Sequence, residues 1–379
     1  MKLIIKFLIY NTISILAIIG LLTVLPAIIQ SLYMDIINLK SYVLNENINN
    51  KKKISSRYPL HNYKWSENYF KETKLQEQYK DFVGWQYKEY SGNYINLNEE
   101  GFRRTTKTKS NKNKTFIFFG GSAMWGYGVS DDHTIPSLFA QKTGIKSLNY
   151  AVPGFTSRNS LSLLINLYNT KEKSNEINNI VFYDGYNDTE FFCISDFKIN
   201  ETRHEKFIIG ATKTFQEFGP YSLKWGLIPV QNLVSFFKEE KNLYLQKEVI
   251  EKNYIKCSKN DKKADKVAKN IVENWKMANA IAESNNDNFI AVLQPTAYYK
   301  YEGNNNKLGD INKEMYSEFK LIYSRIKTLV AEEKDLNFID LSEVIHDKEF
   351  FFTAGHLLPK GNLAIIDYLT DNLKILKKY

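Results

Sequence analysis

The sequence predicts an α/β protein: a three-layer α/β/α sandwich with a parallel sheet, preceded by one N-terminal transmembrane helix. Short apolar runs without alternation, typical of strands buried on both faces, recur among longer amphipathic stretches typical of helices. Strands that alternate with helices imply right-handed crossovers and a sheet covered on both sides. A long uncharged stretch near the N-terminus predicts the membrane span.

The N-terminal stretch is predicted to form an uncleaved anchor over residues 1–35. No charged side chain occurs between Phe7 and Met34, and a helix needs about 20 apolar residues to cross a bilayer. The stretch is too long for a cleavable signal peptide and lacks a good cleavage site. Lys2 and Lys6 before the span favour an inner N-terminus and an outer main domain, although a later lysine run weakens this preference. The alternative is a buried hairpin of a soluble protein.

Three further segments follow the anchor. Residues 36–112 are predicted to form a polar stalk and then an aromatic lead-in that packs on the main domain. Residues 113–379 form the predicted α/β domain. The alternation of strands and helices is interrupted at about 195–263, where an aromatic stretch predicts an insertion. The insertion serves as a lid or substrate platform, or is simply an elaboration of the fold.

The strands and helices of the α/β domain are predicted from apolar runs and their flanking residues. After the first strand, Asp131, Asp132 or Thr134 can cap a helix that carries Pro136 in its first turn. The predicted strands cover residues 115–119, 148–152, 180–183, 289–293 and 338–341, and the later helices cover about 266–284, 312–333 and the segment from Lys360.

Chemistry-bearing residues follow the predicted strands. Ser122, Gly154 and Asn187 each come just after a strand, and His356 lies in the loop before the last helix. Because the carboxyl ends of parallel strands meet at one edge of a sheet, these residues are expected to share a crevice. Each alone is more often a turn, cap or loop residue. Their order and placement together favour a functional site.

The four residues suit nucleophilic catalysis. A serine hydroxyl needs a general base, for which His356 is the candidate, and the tetrahedral oxyanion needs preorganised donors. The N–H groups of Ser122 and Gly154 and the amide of Asn187 are the candidate donors. The segment is not the G-x-S-x-G elbow of α/β-hydrolases, because Met124 fills the last glycine position.

These segments resemble the blocks of the SGNH (GDSL-like) hydrolase family, in its membrane-anchored branch. The matching segments are Gly120-Gly121-Ser122, Gly154, Gly185-Tyr186-Asn187-Asp188 and Gly355-His356, over about the last two thirds of the chain. The resemblance implies a flavodoxin-like SGNH-hydrolase fold. It also implies an esterase or acyltransferase that acts on ester-linked groups, such as O-acetyl groups of a cell-envelope or exported polysaccharide. Lipid esters are the competing substrate class.

Two positions depart from the family pattern. Gly121 stands where aspartate is usual before the serine, and Thr353 stands where aspartate usually precedes the histidine by three residues. Asp340 and Asp347 are candidate replacement acids, and a dyad oriented by Thr353 or by a backbone carbonyl is the alternative. A further hypothesis is an impaired enzyme that serves as a glycan-binding or assembly protein.

Candidate binding residues, net charge and cysteine spacing limit which ligands and partners are expected. The candidate substrate-binding residues are Trp125, Asp188 and Gln294. An aromatic residue such as Trp125 is equally plausible as part of the core. The net charge of +9 comes from scattered lysines without a nucleic-acid platform, so the expected partners are an acylated glycan and the membrane. Cys193 and Cys257 lack metal-ligand spacing, so neither a metal nor a cofactor is predicted. The two cysteines can form one disulfide if the domain is exported.

Overall fold

The computed structural model describes residues 66–108, 114–170, 177–195, 197–203, 205–206, 208–209, 256–300 and 315–373, with residues 10–12 and 14 near the N-terminus. The chain divides into two units, Met1–Ile54 with Phe207–Tyr254 and Ser55–Lys206 with Ile255–Tyr379, of which only the second is described at length. Among the described residues, no helix combines the length and apolar character that a bilayer crossing requires. The predicted anchor and stalk, and the middle of the predicted insertion, fall almost wholly outside those residues.

The lead-in segment shares the core of the larger unit. The Glu72 carboxylate accepts hydrogen bonds from three successive backbone N–H groups, at 2.9 to 3.0 Å, and so holds the turn at residues 93–95. Tyr69, Trp85 and Phe102 are buried in the same apolar cluster as the sheet strands. The elements of this segment are α1 (Ser66–Glu72), β1 (Glu77–Lys80), β2 (Gly84–Tyr87), β3 (Tyr90–Ser91) and β4 (Asn96–Leu97).

The predicted parallel sheet is confirmed. Its five strands lie in the order β6-β5-β7-β8-β9, and every neighbouring pair is parallel. This order is the flavodoxin-like one, in which the first and third strands of the sheet lie side by side at a topological switch point. The strands are β5 (Lys114–Gly120), β6 (Lys146–Asn149), β7 (Ile177–Asp184), β8 (Asn288–Leu293) and β9 (Phe338–Asp340).

The longer helices form two packing groups. The α-helices after β5 are α2 (Ser122–Trp125), α3 (Ile135–Thr143), α4 (Ser157–Thr170), α5 (Tyr186–Cys193), α6 (Asp261–Ser284), α7 (Ala297–Lys300), α8 (Met315–Ala331) and α9 (Pro359–Asn372). Helix α3 packs against α9, whereas α6 packs against α4, α5 and α8. Right-handed crossovers place these two groups on opposite faces of the sheet, which gives three layers.

Several element boundaries differ from those predicted, two of them because of side-chain hydrogen bonds, and the structure identifies one helix cap. Strand β6 ends at Asn149, before the predicted Val152, because the Asn149 side chain bonds to the carbonyls of α2 and to the Ala151 N–H and turns the chain. Helix α6 begins at Asp261, before the predicted residue 266, because Asn260 caps it and accepts the Lys263 N–H. Of the three candidate caps for α3, Thr134 holds the position and accepts the Ser137 N–H.

A disulfide joins the two ends of the predicted insertion. Cys193, the last residue of α5, is bonded to Cys257, just before α6, across a sequence separation of 64 residues. Closing a loop of that length restricts the unfolded chain by on the order of 4 kcal/mol in the chain-entropy description. Helix α5 is therefore tied covalently to the segment that leads into α6.

Candidate active site

Ser122 lies at the carboxyl end of β5, as expected for a residue that follows a central strand. Gly120 has a φ of +150°, and a Cβ at this position would lie 2.6 Å from the Tyr183 carbonyl oxygen. Only glycine therefore allows the chain to turn here without displacing β7. Ser122 then begins α2 directly and is half-buried.

A short hairpin brings His356 to Ser122. Its strands, β10 (Phe351–Thr353) and β11 (His356–Leu357), are antiparallel. His356 Nε2 lies 2.8 Å from Ser122 Oγ, and His356 Nδ1 lies 2.6 Å from Thr353 Oγ1. The three side chains therefore form one continuous hydrogen-bonded line.

The required tautomer follows from the chemistry of that line. To accept the serine proton, His356 Nε2 must be unprotonated, so Nδ1 carries the hydrogen and donates it to Thr353 Oγ1. The Gly355 N–H points to the same threonine oxygen at 3.4 Å. Thr353 thus orients the imidazole but, being neutral, supplies no negative charge to stabilise the imidazolium.

Neither aspartate predicted as a replacement acid reaches His356. Asp340 is paired with Lys327 Nζ at 2.9 Å and accepts the Ser342 N–H at 2.8 Å. Asp347 is exposed and accepts the Glu349 N–H at 2.7 Å. Of the alternatives that the sequence left open, orientation by Thr353 is the one that the structure shows, because the hairpin between β10 and β11 places Thr353 against Nδ1.

The surroundings of His356 keep the imidazole neutral. Its ring lies 5.1 Å from the ring of Tyr127 and 5.3 Å from that of Phe352, measured between centroids. Burial lowers the pKa of His356 to about 4, because a desolvated imidazolium is unfavourable. The ring is therefore in the base form at neutral pH, although it is a weak base.

The amide of Asn187 lies beside the nucleophile turn. Its Nδ2 donates to the Phe155 carbonyl oxygen at 2.7 Å, and a Cβ at Gly121 would lie only 2.3 Å from the same nitrogen. Because an amide nitrogen carries two N–H groups, the second one can serve an oxyanion. Gly154, one residue before Phe155, has a φ of +81°. The structure thus brings the loop of Gly154 and the amide of Asn187 to one side of Ser122.

The contact with Gly121 gives a direct test of the oxyanion donor. Gly121→Ala should displace the Asn187 amide and lower kcat for ester hydrolysis by roughly tenfold to hundredfold, since loss of one such donor costs about 10²–10³ in kcat. The effect should disappear in a background that already carries Asn187→Ala, because the displaced group is then absent. Equal losses in both backgrounds, from kcat measured on a chromogenic ester, would contradict this explanation.

The three residues predicted to bind substrate are all buried in the structure. Trp125 is 2% exposed, with the Arg103 guanidinium carbon 4.4 Å from its ring centroid. Gln294 is 4% exposed, and its backbone N–H donates to the Asp184 carbonyl. Asp188 is 1% exposed and bonds to Ser157. These side chains support the site from within the core.

Two supporting residues were not predicted. Arg103 is buried and donates to the carbonyls of Gly126 and Val129, each at 2.7 Å, while it pairs with Asp131 at 2.9 Å. It thereby braces the turn that follows α2. Phe155 accepts the Asn187 amide with its backbone carbonyl oxygen. Every residue has such a carbonyl, so no sequence pattern identifies this one. A buried arginine also leaves no periodic signal in the sequence.

One group of possible metal ligands occurs among the described residues. Ligand atoms of Cys193, Cys257 and Glu318 lie within 4.8 Å of one another. The two sulfur atoms form the disulfide, and the Glu318 carboxylate accepts hydrogen bonds from the N–H and the hydroxyl of Ser258. Since thiolates rather than a disulfide bind metals, this arrangement is structural.

Comparison with known proteins gives only distant structural similarity. No family model matches the sequence, and no curated protein matches it. Among solved structures, a lipolytic protein of the G-D-S-L family from Veillonella parvula is 13% identical, with 69% of this chain and 98% of that chain covered and a TM-score of 0.40. A carbohydrate acetylesterase from Sinorhizobium meliloti is 12% identical, with 69% and 99% covered and a TM-score of 0.39. A TM-score below 0.5 does not establish a family.

Proposed function

We propose that this protein is a serine esterase or acyltransferase of the SGNH type, which forms an acyl-enzyme on Ser122. The observation that carries the proposal is the 2.8 Å contact between Ser122 Oγ and His356 Nε2, with the Asn187 amide beside the same turn. A nucleophile, a base and an oxyanion donor are the parts that acyl transfer requires. Each comes from a different segment of the chain.

The reaction follows from this geometry in two balanced halves. Ser122 Oγ attacks the ester carbonyl carbon while its proton passes to His356 Nε2, and the carbonyl oxygen becomes an oxyanion facing the Asn187 amide. The tetrahedral intermediate then expels the alcohol, which takes the proton from Nε2 and leaves the acyl group on Ser122. Water or an acceptor hydroxyl, deprotonated by Nε2, repeats the sequence and releases the acyl group. Water makes the enzyme an esterase, and a sugar hydroxyl makes it a transferase.

The proposed substrate is an O-acetylated polysaccharide of the cell envelope or an exported one. The uncharged span between residues 7 and 34 supports anchoring to the cytoplasmic membrane, with the catalytic unit outside. The disulfide between Cys193 and Cys257 supports the same side, because disulfides persist in oxidising compartments. A lipid ester is the competing substrate.

The proposed location has its own test. A reporter that is active only outside the cytoplasm, fused after Tyr379 of the full chain, should be active. A reporter that works only in the cytoplasm should be silent at the same position. The reverse pattern would remove the support for an envelope substrate.

The activity is tested with the full chain in detergent. Release of acetate from an acetylated polysaccharide should be seen with the wild type and should be absent in Ser122→Ala. Faster release of fatty acid from a lipid ester would favour the lipid substrate, and acetate transfer to added glycan would favour the transferase.

The second candidate function is glycan binding by an impaired hydrolase. It is favoured by one observation, the neutral Thr353 in place of an acid beside His356 Nδ1. Binding of the acetylated glycan by both wild type and Ser122→Ala, without acetate release from either, would support this function and overturn the enzymatic one.

A further inference from the structure

Two buried carboxylates flank the segment that carries Asn187. Asp184 is the last residue of β7, and Asp188 lies in the first turn of α5. They are 3% and 1% exposed, and neither forms an ion pair in the part of the chain that the structure describes. Burial of two unpaired carboxylates is unfavourable unless hydrogen bonds or protons compensate for it.

Asp188 is bonded to the loop that holds the Asn187 amide. Ser157 donates its N–H to both Asp188 oxygens, at 3.0 and 3.2 Å, and its hydroxyl to Oδ1 at 2.6 Å. Asn274 Nδ2 donates to Ser157 Oγ at 2.8 Å. Two residues earlier in the same loop, the Phe155 carbonyl accepts the Asn187 amide. Helix α5 and the loop at residues 154–157 are therefore joined at two adjacent points.

We propose that Asp188, acting through Ser157, is a positioning residue that fixes the Asn187 amide and the Gly154 loop for oxyanion binding, and that it does so only as a carboxylate. The inference rests on the proposed function, because it assigns a role within that site. An ionised carboxylate accepts hydrogen bonds at both oxygens. A protonated one carries an O–H on one oxygen, which can no longer accept a hydrogen bond from the Ser157 donors as the carboxylate oxygen does.

The charge of the pair resides on Asp188. The groups that face it are Asp184 from β7, Ser157 from α4, Asn274 from α6 and Tyr323 from α8. Burial raises the pKa of Asp188 to about 6, and burial together with Asp188 raises the pKa of Asp184 well above its usual range. Ser157 donates three hydrogen bonds to Asp188, whereas Asp184 accepts one from Trp275 Nε1 at 3.0 Å and a long one from Ser160. The hydrogen bonds therefore stabilise a carboxylate better at Asp188 than at Asp184.

The direction of the pH effect follows. As pH falls, Asp188 takes up a proton near pH 6, before His356, whose pKa lies at about 4. The loop is then released while the base is still neutral. The acid limb of kcat/KM should consequently lie near pH 6 and report the carboxylate pair instead of the imidazole.

The test compares Asp188→Asn and Ser157→Ala with Ser162→Ala, a buried serine of the same helix that makes no hydrogen bond to either acid in the described residues. With p-nitrophenyl acetate, Asp188→Asn should lower kcat by roughly thirtyfold or more and Ser157→Ala by roughly tenfold, with KM little changed, since one oxyanion donor accounts for about 10²–10³. Ser162→Ala should keep wild-type kcat. In Asp188→Asn the acid limb should move from near pH 6 toward pH 4. A general loss of folding would lower the amplitude without moving the limb.

A second measurement separates this inference from the proposed function. In the full chain with ¹⁵N-labelled asparagine, the side-chain amide signals of Asn187 should shift with a midpoint near pH 6, and the shift should be absent in Asp188→Asn. That result without any Ser122-dependent esterase activity would retain the positioning role and reject the enzyme. Esterase activity with an unchanged acid limb in Asp188→Asn, or an Asn187 signal that does not shift between pH 5 and 7, would overturn the inference.

Discussion

Ser122→Ala should remove the p-nitrophenol burst from p-nitrophenyl acetate, and both Ser122→Ala and His356→Ala should lower kcat/KM by about 10³-fold or more. The serine supplies the only oxygen within hydrogen-bond reach of His356 Nε2 among the described residues, at 2.8 Å. Removal of a nucleophile or of its base in a unit of this kind costs several orders of magnitude in kcat. Both variants are assayed at pH 8, where the wild-type imidazole is neutral.

The chain contains its own control for this experiment. Ser130 Oγ lies 2.8 Å from His133 Nδ1, the same distance as in the site, but this hydrogen bond is exposed. Ser130→Ala should leave kcat/KM unchanged. A loss in Ser130→Ala as large as that in Ser122→Ala would show that a serine–histidine contact is not what distinguishes the site.

Thr353→Asp should increase kcat/KM by roughly tenfold to hundredfold, about 1.4 to 2.7 kcal/mol of transition-state stabilisation. The threonine oxygen is already 2.6 Å from His356 Nδ1 and also faces the Gly355 N–H, so a carboxylate would meet two donors there. A negative charge at this position raises the pKa of His356 from about 4 and stabilises the imidazolium that forms as Ser122 loses its proton. The rise in pKa is measured by titrating the His356 ring signals by NMR.

Two variants separate charge from shape at position 353. Thr353→Asn has the size of aspartate without its charge, and should gain nothing. Thr353→Val keeps the shape of threonine without the hydroxyl, and should lose activity because Nδ1 then has no acceptor to fix the tautomer. If Thr353→Asp and Thr353→Asn behave alike, charge stabilisation is not what the site lacks. If Thr353→Val is fully active, the threonine does not orient the ring.

The sheet was predictable because its strands are buried on both faces. Residues such as Phe116, Phe119, Phe182 and Ile290 leave uninterrupted apolar runs, and the order of strands and helices then limits the topology. Strand and helix ends were less predictable. Asn149 and Asn260 each set a boundary through side-chain hydrogen bonds whose partners are known only once the chain has folded.

The part of the site that depends on the chemical type of a side chain was predictable from the sequence. The part that depends on whether a side chain points into the core was not. Ser122 and Asn187 were placed on one edge of the sheet by the rule that parallel strand ends meet there, and the need of a serine nucleophile for a base then identified His356. Trp125 and Asp188 also follow strand ends in the sequence, but their side chains are buried. The position of a residue after a strand does not determine whether its side chain points into the core. Of the three candidates for orienting His356, Thr353 is the one that lies against Nδ1, and the sequence does not reveal the hairpin that brings it there.

A nucleophilic Ser122 becomes covalently acylated during turnover. The most direct measurement is mass spectrometry of peptides after brief exposure of the full chain to p-nitrophenyl acetate and an acid quench. The expected result is one acetyl group on the peptide that contains Ser122, formed at the rate of the p-nitrophenol burst, missing in Ser122→Ala and formed far more slowly in His356→Ala. A wild-type Ser122 that stays unmodified while p-nitrophenol is released, or acetylation that is unaffected by His356→Ala, would rule out Ser122 as a nucleophile activated by His356.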